Sequence, residues 1–196
     1  MTPEIENSVL GLVEHYSIRG MRVLGVTMKP IADGSNIAIS DESDLIFMGM
    51  IVFTDPVKPS AGPAIKNMAE YGITVKVLTG DNEYVTRHVC EEIGMENDNM
   101  IVGTDVDSMD DAQLQKAVEE NSIFARLTPD NKSRIVNALR ANGHTVGMLG
   151  DGINDSVALR HADVGISVDT GADIAKESAD LILLEKDLNV LKDGAI

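Results

Sequence analysis

The sequence has few aromatic residues, a single cysteine and half as many basic as acidic residues. It contains no Trp and one cysteine, Cys90, so the chain alone can build neither a disulfide framework nor a cysteine metal site. Its 16 Lys and Arg residues stand against 32 Asp and Glu residues, for a net charge of −16. Because no basic cluster interrupts this acidic excess, the charge argues against nucleic acid or an anionic lipid surface as a partner.

Long apolar runs are also absent. The longest, Leu45 to Phe53, falls well short of the roughly 20 residues that span a bilayer. The amino terminus carries Glu4 and Glu6 and lacks the apolar segment of a signal peptide. Hydrophobic residues nevertheless make up 43% of the 196 residues, which is enough for one packed domain with a small appendage.

Beyond Leu45, short runs rich in Val and Ile alternate with segments of helical periodicity. This alternation predicts an α/β fold in which crossover helices join parallel strands. One helix has clear boundaries, with Thr128 as N-cap, Pro129 at the first helical position and Asn142-Gly143 at its end. We expect strands at Ile73 to Leu78, Ile123 to Ala125, Thr145 to Leu149, Ala162 to Val168 and Asp180 to Leu184.

The first 44 residues fit this alternation less well. They predict a helix ending near Tyr16, a strand at Arg22 to Met28, and a polar loop through Asp33-Gly34-Ser35-Asn36. We therefore place a boundary near Phe53 to Asp55, which divides the chain into residues 1–53 and 54–196.

Three polar segments each follow directly on a predicted strand. They are Thr79-Gly80-Asp81, Thr128 to Lys132, and Gly150 to Asp155. Because the carboxyl ends of parallel strands lie at one edge of an open sheet, we expect these segments to meet in a single crevice. Alone, the first segment is typical of a turn and Lys132 of a solvated helix residue, but the order of all three favours a common site.

The side chains expected in this crevice match what phosphoryl transfer requires. Thr79 and Gly80 offer hydrogen-bond donors for phosphoryl oxygens, and Lys132 offers a balancing positive charge. Mg²⁺ prefers oxygen ligands, keeps several waters and needs only one or two protein carboxylates. The crevice would offer it two carboxylates, Asp151 and Asp155, on either side of the Asn154 amide.

Five stretches of the sequence carry a resemblance to a known family. They are DPVK (Asp55 to Lys58), LTGDNE (Leu78 to Glu83), FARLTPDNKSRIV (Phe124 to Val136), GDGINDSVAL (Gly150 to Leu159) and Ala162 to Leu191. Together they resemble the P-type cation-transporting ATPases, whose phosphorylation domain belongs to the haloacid dehalogenase superfamily, and the last stretch is most similar to the bacterial magnesium-transporting branch. The resemblance implies a Rossmann-like parallel sheet with flanking helices in residues 54–196, and a remnant of the nucleotide-binding domain with a hinge strand in residues 1–53.

The same resemblance implies roles for individual residues. Those assigned to the phosphoryl group and its pocket are Thr79, Gly80, Lys132, Asn154 and Asp155. Those assigned to Mg²⁺ are Asp151 and Asp155, and those assigned to the hinge and to ATP are Asp55, Lys58 and Asp81.

The family's phosphate-accepting Asp lies in a DKTGT string, which this sequence does not contain. The resemblance therefore implies a cytoplasmic fragment of an ATP-driven cation transporter of the cell membrane, inactive alone and dependent on the transporter's remaining domains. Because the family's nucleophile strand is central to the sheet, its loss would leave two unpaired strand edges. We expect Arg22 to Met28, Leu45 to Phe53 or a neighbouring chain in a homo-oligomer to fill this gap.

Two other functions stay open at this point. Asp105-Val106-Asp107-Ser108 mimics the superfamily's DxDx[ST] nucleophile loop, which would make the chain a free-standing phosphatase with Asp105 as nucleophile. Against this, the segment follows Thr79, whereas the nucleophile strand should precede it. The other alternative is a non-catalytic regulatory module that binds Mg²⁺ in the acidic crevice.

Overall fold

The computed structural model describes residues 2–31, 38–95 and 99–195. The chain divides into two compact units, residues 1–56 and residues 57–196. The polar loop expected at Asp33 to Asn36 lies outside the described residues. Within the described ranges, no helix combines the length and the apolar character needed to cross a membrane.

The first unit is a helix followed by a β-hairpin. Helix α1 (Pro3–Ser17) begins at Thr2, whose hydroxyl accepts a hydrogen bond from the backbone N–H of Ile5. Strands β1 (Met21–Met28) and β2 (Ile46–Thr54) pair antiparallel, with an irregularity in register between Val26 and Thr27. The hairpin is a two-stranded sheet of its own among the described residues. The prediction that either of its strands would complete the parallel sheet is therefore wrong.

The second unit alternates strands and helices, which confirms the predicted α/β fold with parallel strands and flanking helices. Its strands are β3 (Val77–Leu78), β4 (Met100–Val102), β5 (Ile123–Ala125), β6 (Gly147–Leu149), β7 (Val164–Val168) and β8 (Leu181–Leu183). Its helices are α2 (Ala61–Glu70), α3 (Glu83–Glu92), α4 (Gly103–Ser108), α5 (Asp111–Glu120), α6 (Pro129–Ala141), α7 (Ser156–His161), α8 (Asp173–Ser178) and α9 (Leu188–Ala195), and a 3₁₀ turn at Ile153–Asp155 leads into α7.

The parallel strands of this unit form two sheets in the part of the chain described. One has the order β3-β5-β4 and the other the order β6-β7-β8. Strand β3 is shorter than the predicted Ile73 to Leu78, since only Val77 and Leu78 pair with β5. Both β3 and β6 are edge strands of their sheets, so the continuous sheet that the α/β pattern predicts is divided between them.

Helix α6 packs into the hydrophobic cores of both sheets. Ile135 belongs to the core that surrounds β4 and β5, where Phe124 is fully buried. The next residue, Val136, belongs to the core that surrounds β6, where it packs with Met148 and Leu159. Burial of large apolar side chains on two faces stabilises α6 at roughly 1.5–3 kcal/mol per side chain. The first turn of α6 is consequently fixed relative to both sheets.

Candidate active site

The loop after β3 is hydrogen-bonded to the loop after β5. The backbone N–H of Leu127 donates to the carbonyl of Thr79 over 2.9 Å, and that of Arg126 donates to the carbonyl of Asp81 over 2.8 Å. The Thr79 hydroxyl oxygen accepts the N–H of Asp81 at 3.1 Å. A side chain at Gly80 would bring its Cβ to 3.4 Å from the Leu127 carbonyl oxygen. The first predicted segment is therefore bonded, through its backbone, to the two residues that directly precede the second segment.

The first turn of α6 is locked by a reciprocal capping arrangement. Thr128 Oγ1 accepts the N–H of Asn131 at 3.2 Å, and Asn131 Oδ1 accepts the N–H of Thr128 at 3.0 Å. Asn131, which is 1% exposed, also donates its Nδ2 hydrogen to Asp107 Oδ1 at 2.6 Å. Pro129 occupies the first helical position, as the sequence predicts. These contacts hold Lys132 in a fixed place on the first turn.

Lys132 joins this helix to the loop after β6. Its ammonium lies 2.6 Å from Asp155 Oδ1, and the two side chains are 11% and 12% exposed. The second carboxylate oxygen of Asp155 accepts the N–H of Gly152 at 3.1 Å. A Cβ at Gly150 would lie 2.5 Å from the Asp155 Cβ, so this position has no room for a side chain. The loop thus closes tightly around one buried ion pair.

Asp151, between these two glycines, has a hydrogen-bonded backbone and an exposed side chain. Its carbonyl accepts the N–H of Ala172 at 2.8 Å. Its side chain is 64% exposed, and Oδ2 lies 3.7 Å from the ammonium of Lys186. Asn154 is exposed in the 3₁₀ turn that follows. The Asp151 carboxylate is the group in this loop that is available to a ligand from solution.

The donors of this loop fit Mg²⁺. Asp151 supplies a carboxylate that already has a cation, the Lys186 ammonium, beside it. Among the described residues there is no group of three or more His, Cys, Asp and Glu side chains that could hold a metal ion. A single direct carboxylate suits Mg²⁺, which keeps several waters and takes only one or two protein carboxylates. Both Asp155 oxygens are engaged by Lys132 and Gly152.

Of the three residues assigned to the hinge and to ATP, Asp55 and Lys58 fall in different units. Asp55, in the first unit, lies with one carboxylate oxygen 3.7 Å from Arg22 Nη1. Lys58, in the second unit, donates its ammonium hydrogen to the backbone carbonyl of Lys186. Their assignment to the hinge and the nucleotide stays a prediction.

Sequence reasoning missed Lys186, although the signal was present. Lys186 follows β8, and β8 is parallel to β7, which is parallel to β6. The rule that carboxyl ends of parallel strands share an edge therefore places the segment after β8 beside the segment after β6. A charged turn such as Glu185-Lys186-Asp187 is typical of a solvated surface, so its composition alone does not indicate a functional residue.

The alternative nucleophile, Asp105, lies within a helix. It occupies the first turn of α4, and its carboxylate accepts the N–H of Val102 at 3.5 Å. The preceding strand, β4, is on the far side of β5 from β3, at the edge of its sheet. The sequence motif therefore matches a helix start rather than a loop beside Thr79.

Comparison with known families agrees with this geometry. The chain belongs to the haloacid dehalogenase-like hydrolases: the model of that family matches residues 12–163. This match covers both loops that meet at Thr79 and the whole of the Lys132 and Asp155 contact.

The chain is also similar to curated transport ATPases. It is 53% identical over 191 residues to the "Magnesium-transporting ATPase, P-type 1" of Salmonella typhimurium, covering 96% of this chain and 21% of that protein. It is 49% identical over 180 residues to the protein of the same name from Escherichia coli, covering 91% and 20%. A "Calcium-transporting ATPase 1" of Lactococcus lactis is 32% identical over 187 residues, covering 94% and 21%. The chain spans about a fifth of the length of these relatives.

Proposed function

We propose that this chain is the phosphorylation-domain part of an ATP-driven cation transporter, with Mg²⁺ as the transported ion. The transporter would pass the γ-phosphoryl group of ATP to an Asp outside this chain and then hydrolyse the aspartyl phosphate. The contact between Lys132 and Asp155 carries the proposal, because it joins two segments that the P-type pattern places around the phosphoryl group. The names of the two magnesium-transporting relatives support the choice of ion.

In this proposal each loop contributes a different interaction with the phosphoryl group. Thr79 and Gly80 donate hydrogen bonds to its oxygens, and Lys132 balances its negative charge from the first turn of α6. Asp155 holds Lys132 in position, and Asn154 borders the pocket from the 3₁₀ turn. Fixed donors of this kind stabilise charge that develops during transfer, because they need no rearrangement when the reaction occurs.

Asp151, with Asp155 close by, would hold a Mg²⁺ ion at the phosphoryl group. That ion would neutralise phosphoryl oxygens and bring the transferred group into line with the attacking atom. Asp81, Lys58 and Asp55 would lie toward the nucleotide and the hinge. Residues 1–53 would then be part of the nucleotide-binding domain, and the whole would lie on the cytoplasmic side of the membrane.

The experiment follows the phosphorylated intermediate in the complete transporter. With labelled ATP and Mg²⁺, the wild-type protein should acquire an acid-stable, hydroxylamine-labile label, and Asp151→Asn should suppress it. Asp173→Asn is a matched control, since this carboxylate is 92% exposed and pairs with Lys176 at 3.0 Å. Full labelling of the Asp151 variant would remove this residue from the metal role.

The isolated chain provides a second test. Because it has no DKTGT string, it should acquire no such label and should not hydrolyse p-nitrophenyl phosphate. Hydrolysis that disappears in Asp105→Asn would instead establish the free-standing phosphatase. Mg²⁺-dependent capture of a partner without any labelling of the complete protein would favour the regulatory module.

A further inference from the structure

The Lys186 ammonium lies beside a carboxylate that a metal cation could also bind. Its nitrogen is 3.7 Å from Oδ2 of Asp151, the exposed carboxylate between Gly150 and Gly152. The N–H of Asp169 donates to the carbonyl of Leu183 at 3.0 Å, which holds the end of β8 beside β7. This bond fixes the backbone from which the Lys186 segment departs.

A second contact positions the backbone of Lys186 itself. Lys58 donates its ammonium hydrogen to the Lys186 carbonyl, so the segment after β8 is held from both sides. The Lys186 side chain is 42% exposed and the Asp151 side chain is 64% exposed. The pair is therefore close enough to interact and open enough to separate without burying an unpaired charge.

We propose that Lys186 is a built-in counter-ion of Asp151, which Mg²⁺ must displace in order to bind. The proposal rests on the proposed role of Asp151 as the magnesium ligand. Lys186 would lower the affinity of this site for free Mg²⁺ and leave Asp151 paired when the metal is absent.

Simple electrostatics gives the size of the effect. A Mg²⁺ ion bonds a carboxylate oxygen at about 2.1 Å, so an undisplaced ammonium would lie within about 6 Å of the metal. The repulsion at that distance is only partly screened by water and is relieved when the lysine swings outward. The competition should therefore weaken Mg²⁺ binding about three- to tenfold.

Competition from Lys186 would make Mg²⁺ binding at Asp151 depend on the presence of the phosphoryl group. Free Mg²⁺ gains one direct protein carboxylate at Asp151, and it must first displace Lys186. A Mg²⁺ ion that also bonds a phosphoryl oxygen gains a second ligand from the same encounter. The site would then favour Mg²⁺ together with phosphate over Mg²⁺ alone.

The test is calorimetric titration of the 196-residue chain with MgCl₂. Lys186→Met should bind Mg²⁺ about three- to tenfold more tightly than wild type, and Lys186→Arg should not. Lys116→Met is the control for net charge, because it removes one exposed ammonium from α5, where Lys116 pairs with Glu120 at 3.7 Å. Asp151→Asn should abolish Mg²⁺ binding, both in the otherwise wild-type chain and in the Lys186→Met variant. Circular dichroism of each variant checks that it is folded.

The outcomes separate this proposal from the proposed function. If wild type binds Mg²⁺ through Asp151 and Lys186→Met matches Lys116→Met, the counter-ion role is wrong and the metal role stands. If Asp151→Asn leaves binding unchanged, the metal role fails and the counter-ion role fails with it. If only Lys186→Met binds measurably, or if it binds more tightly than Lys116→Met, the counter-ion role is supported. Absence of binding in every variant would overturn both.

Discussion

The ammonium of Lys132 lies 2.6 Å from Oδ1 of Asp155, and neither side chain is more than 12% exposed. This contact ties helix α6, which packs into both cores, to the loop that carries Asp151. Breaking a buried pair by removing one partner is costly, because the other charge stays buried without compensation.

Lys132→Met should therefore lower the free energy of unfolding by about 3 kcal/mol. Lys132→Met combined with Asp155→Asn should lose less than the single variant, since the Asn carbonyl oxygen still accepts the N–H of Gly152 and no charge remains. Urea unfolding of the isolated chain measures both values. A double variant no more stable than Lys132→Met would show that the ion pair is not the source of the loss.

Gly150→Ala should also destabilise the chain. The new Cβ would lie 2.5 Å from Cβ and 2.8 Å from Cγ of Asp155, so either Asp155, which pairs with Lys132, or the loop backbone must shift. Overpacking of this kind costs about 1–3 kcal/mol. Gly147→Ala is the control in the preceding strand, because its nearest neighbour would be Ile166 Cδ1 at 3.8 Å. Equal melting temperatures for the two variants would contradict the close approach at Gly150.

Asp163 should contribute to the acid sensitivity of the fold. The backbone N–H of Val146 donates to its carboxylate at 2.9 Å, and this bond, aided by Arg140, lowers the pKa of Asp163. The unfolded chain then takes up this proton at a higher pH than the native state does. The stabilisation is present above the unfolded pKa near 4 and is lost as the pH falls through the lowered native pKa.

Melting temperatures measured across this acid range test the assignment. As the pH falls below about 5, Asp163→Asn should lose less stability than wild type. Parallel pH profiles for the two proteins would show that Asp163 does not titrate differently on folding.

Cys90 should be almost unreactive in the native chain. The residue is 1% exposed, and burial, aided by Glu91, raises the pKa of its thiol to about 11. Since the thiolate is the reactive form, modification by Ellman's reagent at pH 8 should be at least about 100-fold slower than in urea. With one cysteine in the sequence, the signal reports this position alone. Rapid native modification would mean that α3 opens readily.

Local signals predicted the helix boundaries well. Thr128 as N-cap and Pro129 at the first position are both confirmed, because capping depends only on residues close in sequence. Strand β5 likewise matches its predicted span of Ile123 to Ala125. The convergence of the Thr79 and Arg126 loops follows from the parallel order of β3 and β5.

The sequence predicts two unpaired strand edges, but whether another strand fills the gap between them could not be predicted in the same way. Whether β3 and β6 have a strand between them depends on hydrogen-bond partners that a local pattern does not specify. Strands β1 and β2 instead pair with each other in a sheet of their own. The pairing of Lys186 with Asp151 depends on two distant strand ends: the parallel order of β6, β7 and β8 places both segments at one edge, but a charged turn alone does not single out Lys186.

The backbone bonds from Arg126 to Asp81 and from Leu127 to Thr79 have a kinetic consequence. Neither amide proton can reach solvent unless the segment after β3 separates from the segment after β5. Their hydrogen-exchange rates should therefore rise and fall together, as one cooperative opening unit. A ligand held by Thr79 would slow both amides, including that of Arg126, whose side chain is 57% exposed.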